Sequence, residues 1–479
     1  MRVGEVIIQM LGRKFDGMAW LAMGSRTAAS TVLLVFLAAF MSFAFNIVGA
    51  ANNELRGQFQ ADSDTLVYDA LAADAPTLGT LKDGVFIPYQ SQVGAQLVLY
   101  RALGKVIGKN PTRIGIINAL ALAAVVAAFT LFAERILGTR GALAAGASMT
   151  LSPWLIMFAT SAYWMAWLWF LPVLVTMALG EKMLSRVRIL GGACAALAAL
   201  FFLKFLCGYE YATTVVIAAC SPLAYFGLRD RVSRSRLALA ASAVGVAAIT
   251  AFALAVWLHA MQLSSDGKNG FSEIGRTAAK RLYSADPEAL VATVCLTPRV
   301  GQSEADCKTS FFRSLTAPIP VVLELYATFR RCVPWIAGPD IIDTPELEGL
   351  RRVIRRGEVN QAVSVVRELG FSGFLHITNL ILTMLISWSL IGWAALNLYR
   401  DRARSLPYVG LLVVAALAPL SWYVIAKAHS YAHPQLNFVL WNLPFLPFLV
   451  GYLFMSPPPR RAAREAAPAS TSARQTYPA

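Results

Sequence analysis

Apolar segments long enough to cross a lipid bilayer recur along most of this chain. A helix needs about 20 predominantly apolar residues to span the hydrocarbon core. We place about ten such segments, at residues 27–49, 112–132, 141–159, 163–180, 189–206, 212–228, 237–260, 374–397, 407–426 and 436–454. Because helices satisfy their own backbone polar groups, the sequence predicts an all-α polytopic membrane protein with these segments as its transmembrane helices.

The overall composition supports the same class. The 479 residues are 57% hydrophobic and 14% charged, and the mean hydropathy is +0.57. Soluble domains typically carry about 25% charged residues. The net charge of +15 would suggest a nucleic-acid partner in a soluble protein. No nucleic-acid-binding motif occurs here, so we expect no nucleic-acid partner and assign the basic residues to cytoplasmic loops.

The distribution of Lys and Arg predicts the orientation of the spans. Every even-numbered connection is basic, as are the residues before the first span; the basic connections are 133–140, 181–188, 229–236, 399–405 and 457–466. The short odd-numbered connections 160–163 and 207–211 contain no Lys or Arg. Basic loops stay in the cytoplasm, so both termini are predicted to be cytoplasmic. The Ala- and Arg-rich composition suggests a high-GC bacterium, and the predicted location is the bacterial cytoplasmic (inner) membrane.

Two long connections fall on the outer side in this topology. The one between the seventh and eighth spans exceeds 100 residues, enough for a small folded domain. The predicted organisation is a cytoplasmic N-terminal segment (1–26), a membrane domain of seven helices with an acidic outer loop at 50–111 (27–260), an extracytoplasmic domain (261–373), a membrane domain of three helices (374–455) and a disordered cytoplasmic tail (456–479).

Three of the six cysteines, Cys295, Cys307 and Cys332, lie in the predicted extracytoplasmic domain. Disulfides persist outside the cytoplasm. We predict a Cys295–Cys307 disulfide, with Cys332 as the competing partner, because connectivity cannot be read from sequence alone. No Cys or His spacing is typical of a metal site, and no nucleotide-binding loop occurs, so neither a metal nor another cofactor is predicted.

Ionisable and hydrogen-bonding residues from distant parts of the chain are predicted to converge at the outer face. The acidic segment 61–70 holds Asp62 and Asp64, and Asp69 and Asp74 follow. The other members are Tyr89 and Gln92 after the Asp83-Gly84 turn, Lys204 and Glu210 at the end of the fifth span, and Lys427, His429 and His433 between the last two spans. Ionisable residues at membrane depth usually mark function. The competing interpretations are a snorkelling lysine paired with Glu210, histidines that contact lipid headgroups, and solvated acids.

This combination of groups suits transfer of a sugar from a lipid phosphate. A carboxylate can act as the general base on an acceptor hydroxyl. Cations can stabilise the departing phosphate as negative charge develops on it. We therefore predict Asp62 and Asp64 as catalytic residues. Lys427, His429, His433, Lys204, Glu210, Tyr89 and Gln92 are predicted to bind substrate.

The layout resembles that of the GT-C superfamily of integral-membrane glycosyltransferases. The segment ADSDTLVYDA (61–70) stands where that family has an essential acidic motif in its first outer loop. The resemblance implies a polyprenyl-phosphate sugar as donor, a cell-envelope glycan or lipid as acceptor, and reaction on the periplasmic side. The order of domains differs from many members, in which a large soluble domain comes last.

Two other functions fit the sequence. A transporter or flippase of lipid-linked saccharides should carry polar groups near the bilayer midplane, whereas here the centres of most spans are Ala, Leu and Val. A glycan polymerase or ligase of another fold would also use outer-loop cations, typically arginines. A structural membrane protein is the remaining alternative.

Overall fold

The computed structural model describes residues 25–47, 53–265, 269–282, 402–426 and 438–455, together with Gly49, Gly267, Leu396 and Tyr399. This part of the chain is mostly helical. Six of its helices are long and apolar enough to cross a membrane, and Ser30–Phe45 is a shorter apolar segment. The mostly helical architecture is therefore confirmed and is compatible with a membrane protein, while the count of ten spans stays a prediction. Most of the predicted extracytoplasmic domain, the eighth span and the three cysteines at 295, 307 and 332 lie outside the described residues.

Twelve α-helices and one hairpin make up the described part. In chain order they are α1 (Ser25–Phe45), α2 (Asn53–Ala72), β1 (Gly79–Lys82), β2 (Val85–Pro88), α3 (Ala95–Ile107), α4 (Pro111–Leu151), α5 (Pro153–Ala159), α6 (Trp167–Ser185), α7 (Val187–Cys207), α8 (Ala212–Arg229), α9 (Arg234–Ser265), α10 (Gly270–Leu282), α11 (Arg402–Ile425) and α12 (Phe445–Leu453). A 3₁₀-helix at Phe438–Asn442 precedes α12.

The sequence predicted an all-α fold, but residues 79–88 form an antiparallel hairpin, so the described part is not wholly α-helical. Lys82 pairs with Val85, which leaves Asp83 and Gly84 as a two-residue turn. Both turn residues have positive φ, 52° and 78°, as a type I′ turn requires. The predicted turn at these residues is thus confirmed, and the strands on either side of it were not predicted.

Helix α4 contains two arms that fold back on each other at Gly138. Gly138 has φ 68° and ψ 172°, a conformation that glycine adopts without the steric cost of a Cβ. Thr130 and Gly146 lie eight residues before and after it, and a Cβ on Gly146 would overlap Thr130 Oγ1, so the two arms approach each other closely here. The second and third predicted spans are therefore separated at Gly138.

Proline divides two of the predicted spans. The run 141–159 is interrupted at Ser152, which ends α4 and caps α5 by accepting a hydrogen bond from Leu155 N at 3.3 Å. In the described part of the run 436–454, a 3₁₀-helix at Phe438–Asn442 is followed, after Pro444, by the nine-residue α12. Proline lacks an N–H and clashes with the preceding helical turn, so neither run continues as one helix.

The long helices pack side by side. Helix α8 contacts α6 and α11, α7 contacts α6 and α9, and α4 contacts α1 and α12. Their buried faces form a continuous core rich in aromatic residues, including Phe129, Trp169 and Phe226. Glycine at position 141 allows α4 and α12 to approach closely: a Cβ on Gly141 would lie 2.6 Å from the carbonyl oxygen of Gly451.

One end of this helix bundle carries the basic connections. Glu181 Oε2 accepts hydrogen bonds from Arg135 at 3.0 Å and lies 3.3 Å from Arg229. Arg236 Nε donates to the carbonyl of Leu184 at 3.0 Å. We call this the basic end. The connections predicted to be cytoplasmic at 133–140, 181–188 and 229–236 therefore meet in space.

Candidate functional site

The opposite end of the bundle is built around Asp64, a buried carboxylate on α2. Its side chain is 2% exposed. Asp64 Oδ1 accepts hydrogen bonds from Ser161 Oγ at 2.6 Å and from the backbone N–H of Tyr163 at 2.9 Å. Burial raises the pKa of Asp64 from 3.8 to about 6, while hydrogen bonds from Ser161, Tyr163 and Ala162 act in the opposite direction. Asp64 is thus held in place, and its carboxyl changes protonation state near neutral pH.

The partner segment of Asp64 is the turn between α5 and α6. Ser161 Oγ also accepts a hydrogen bond from Trp164 N at 3.2 Å, and Met165 has a positive φ of 44°. A hydroxyl that donates to the carboxylate and accepts from the backbone fixes the turn relative to α2. Tyr163 was interpreted from the sequence as part of an interfacial aromatic belt at 154–170 that could line a groove, and neither Ser161 nor Tyr163 was among the predicted site residues.

Two of the predicted substrate-binding residues join this cluster through Tyr163. Tyr163 Oη donates to Gln92 Oε1 at 3.1 Å and lies 3.4 Å from the hydroxyl of Tyr89. Gln96 Nε2 donates to the carbonyl of Tyr163 at 3.3 Å. Gln92 Nε2 is buried without a hydrogen-bond partner in the described part of the chain. Residues from three separate segments therefore meet around one tyrosine.

Lys204 in the last turn of α7 contacts the connection between α7 and α8, which contains Glu210. The ammonium of Lys204 donates to the carbonyl oxygens of Gly208 at 2.6 Å and Glu210 at 2.9 Å. Lys204 is 4% exposed and Glu210 is 5% exposed. At least two of the three ammonium donors therefore hold this turn, which is a structural role that the sequence analysis did not include.

Gly208 is the point at which the two groups of residues meet. A Cβ on Gly208 would lie 2.6 Å from Glu210 Oε2 and 2.7 Å from Gln92 Oε1. The rings of Trp164 and Tyr211 stack at 5.6 Å between the α5–α6 turn and the α7–α8 connection. The cluster of Asp64, Ser161, Tyr163, Gln92 and Glu210 is called the polar cluster below.

An elongated apolar cavity of about 510 Å³ adjoins the polar cluster at Glu210. Its walls come mainly from α8, α9, α10 and α11. Besides Glu210, the lining includes Gln90, Ser91, Tyr209 and His259 near the polar cluster, and the remainder is largely aliphatic or aromatic. Tyr209 Oη lies 3.3 Å from His259 Nδ1. The cavity is called the α9 groove below.

The structure separates the remaining acids of the first outer segment from Asp64. Asp69 Oδ2 accepts a hydrogen bond from Leu81 N at 2.8 Å and so ties the hairpin to α2. Asp74 lies 3.3 Å from Lys109 Nζ and its side chain is 78% exposed. Both have contacts of their own outside the polar cluster.

Several predicted site residues lie outside the described side chains. They are Asp62, Lys427, His429 and His433. Their predicted roles therefore stay predictions. Within the described ranges, no group of three or more His, Cys, Asp or Glu residues could hold a metal ion.

Comparison of this chain with family models, curated proteins and solved structures gives no match.

Proposed function

We propose that this chain is a membrane glycosyltransferase that moves a sugar from a polyprenyl-phosphate donor to a cell-envelope glycan or lipid on the outer face of the bacterial cytoplasmic membrane. The outer face is the end of the bundle that carries the polar cluster. The observation that supports the proposal most strongly is the Asp64 carboxylate, which is buried and oriented by Ser161 and Tyr163 and has a pKa near 6.

A carboxylate in this state suits general-base chemistry. General bases act best when their pKa lies near the working pH, because they are then both ionised and basic enough to accept a proton. At pH 7 a group with a pKa of about 6 is mostly ionised. In the proposed reaction Asp64 accepts the proton of the acceptor hydroxyl as that oxygen forms its bond to the sugar's anomeric carbon. The bond from that carbon to the lipid phosphate breaks in the same step.

The arrangement of polar groups also bears on the alternative of transport. A transporter should bind its cargo near the bilayer midplane. In the described residues, Asp64, Glu210 and Lys204 all lie at the end of the bundle opposite the basic end. Such a distribution favours chemistry at the membrane surface over passage through the bundle.

The test is transfer of label from a radiolabelled polyprenyl-phosphate sugar into membrane glycan by Asp64→Asn. The asparagine Oδ1 can still accept hydrogen bonds from Ser161 and Tyr163, so the turn is retained while the base is removed. We expect transfer to fall by about 10²–10⁴-fold.

Asp69→Asn is the matched control because it lies on the same helix and contacts the hairpin instead of the polar cluster. It should keep transfer within a few-fold of the wild type. If Asp64→Asn transfers sugar as fast as this control, Asp64 is not the base, and the flippase function becomes the better hypothesis.

A further inference from the structure

The basic end carries more positive charge than its own acids neutralise. Glu181 forms ion pairs with Arg135 and Arg229. Asp230 forms an ion pair with Arg229 at 2.6 Å. Glu134 is the one other acid in the connections 133–140, 181–188 and 229–236. The exposed cations of these connections that form no ion pair with any described residue are Arg140, Lys182, Arg186, Arg188, Arg231 and Arg234.

Packing brings two of the three connections together. Arg236 in the first turn of α9 donates to the carbonyl oxygens of Met183 at 3.3 Å and Leu184 at 3.0 Å. This contact holds the α8–α9 connection against the α6–α7 connection, and Arg186 and Arg234 each lie two residues from it. Orientation in a membrane requires basic connections but does not require that they converge. The arginine patch is defined as Arg186, Arg188, Arg231 and Arg234.

Helix stability does not account for the positions of these cations. Arg188 and Arg234 lie in the first turns of α7 and α9, and neither turn contains an acidic residue. A cation at the start of a helix is disfavoured by the helix dipole. Arg231 has a positive φ of 51°, in the region where a helix is usually followed by glycine. An external anion beside the patch would offset the electrostatic part of this cost.

The arginine patch borders the candidate spans that are least covered by protein. In α7 and α9, 33% of the most apolar stretch is buried, the lowest share among the six candidate spans. Val187 at the start of α7 is 69% exposed, and Leu239 in the second turn of α9 is 51% exposed. A Cβ on Gly191 or Gly192, about one turn further along α7, would have no neighbour within 4 Å. An exposed apolar surface therefore begins directly beside the cations.

We propose that the arginine patch binds the head group of an anionic membrane phospholipid, with the acyl chains along the exposed faces of α7 and α9. Guanidinium groups suit a phosphodiester because they donate paired hydrogen bonds to its oxygens. Basic residues at the cytoplasmic ends of membrane helices attract anionic head groups. The patch lies at the end of the bundle opposite the polar cluster, so this site does not depend on the proposed reaction.

The binding experiment compares two lipids that carry the same acyl chains. Purified full-length protein in neutral detergent is titrated with phosphatidylglycerol or phosphatidylcholine, and native mass spectrometry counts the bound lipid. We expect phosphatidylglycerol to bind about tenfold more tightly or better, with the difference shrinking as salt is added. Glycerol phosphate at the same concentration should not displace it, because the soluble head group lacks the acyl chains. Equal binding of the two lipids, or displacement by glycerol phosphate, would overturn the proposal.

A pair of double variants tests the arginines themselves. Arg186→Gln with Arg188→Gln removes half of the patch and leaves the Arg236 contact in place. Each arginine near an anionic head group contributes about fivefold, so binding of phosphatidylglycerol should weaken by about 25-fold. Lys82→Gln with Lys105→Gln is the control, because it removes two exposed cations from the hairpin and α3 instead. Equal loss of binding in the two double variants would show a response to net charge alone and would overturn the proposal.

Gly245→Leu tests whether the lipid lies in the α9 groove instead. A Cβ on Gly245 would have no neighbour within 4 Å, so leucine would extend into the groove that Gly245 lines. This position is roughly 16 Å along α9 from Arg234. We expect the variant to bind phosphatidylglycerol like the wild type. Binding that is lost in Gly245→Leu and kept in the double arginine variant would place the lipid in the α9 groove and exclude the arginine patch.

Discussion

The proposed chemistry needs an ionised Asp64 carboxylate, whereas folding buries this carboxyl and so disfavours its charged form. Its carboxyl is withdrawn from water, which disfavours the charged form. The hydrogen bonds from Ser161 and from the backbone of Tyr163 and Ala162 recover only part of the lost hydration, since the pKa remains raised at about 6. The native state therefore holds this proton to a higher pH than the unfolded chain does.

Replacing Asp64 by asparagine should stabilise the protein at high pH. The stability that the wild type gains from the protonated carboxyl is fully present below the unfolded pKa of 3.8 and is lost as the pH rises through about 6. At pH 8 the asparagine variant should therefore be more stable, by up to about 3 kcal/mol. Near pH 4 the two should be similar. Thermal unfolding in detergent at both pH values measures this difference, and a wild type that gains stability over the variant between pH 4 and 8 would contradict the raised pKa.

At the scale of secondary-structure elements, the connection between α7 and α8 is the most constrained. Gly208 has φ 154° and ψ 149°, a conformation open essentially to glycine. Lys204 holds the carbonyl oxygens on either side of Tyr209. Together they fix the direction in which Glu210 leaves the end of α7.

Gly208→Ala should therefore disturb both stability and the polar cluster. The new methyl group would overlap Glu210 Oε2 and Gln92 Oε1, and the backbone conformation alone costs about 1–3 kcal/mol. We expect a lower melting temperature. Gly191→Ala in α7 is the control, because its Cβ has no neighbour within 4 Å and alanine favours the helix. A Gly208→Ala protein as stable as this control would show that the turn is not constrained.

The elements differ in how far the sequence could predict them. The long apolar helices depend on local composition, and the Asp83-Gly84 turn depends on two adjacent residues, so both were recognisable. The breaks at Ser152 and before α12 depend on Pro153 and Pro444, which a count of apolar residues ignores.

The site was less predictable than the elements. Asp64 could be proposed from its place after the first span. Its contact with Ser161 crosses 97 residues of sequence, and the role of Lys204 depends on the path of the following backbone. Contacts of this kind arise from tertiary packing and leave no local pattern.

On the scale of the whole molecule, the separation between the basic end and the polar cluster predicts the orientation in the membrane. Arg135, Arg229 and Arg236 lie at one end, and positively charged connections remain in the cytoplasm. We therefore predict that the polar cluster faces the periplasm. The structure also identifies suitable positions for testing this, since Ser185, Ser233 and Ser272 are exposed.

Single cysteines at these three positions, in a background without the six native cysteines, should report the orientation. A membrane-impermeant maleimide applied to intact cells should label Ser272→Cys. Ser185→Cys and Ser233→Cys should react only after the membrane is opened. The reverse pattern would place the polar cluster in the cytoplasm and exclude the proposed periplasmic reaction.

The contacts that α11 and α12 make with α4 set the order in which the molecule can be completed. Tyr408 Oη donates to the carbonyl of Ile136 at 3.0 Å across 272 residues of sequence, and α12 approaches α4 at Gly141 and Gly451. A ribosome adds about 5–20 residues per second, so α4 emerges roughly 15–60 s before its partners. Until then the surface around Gly141 lacks its α12 partner. A chain that ended after α9 would keep this helix surface without the contact that completes its packing.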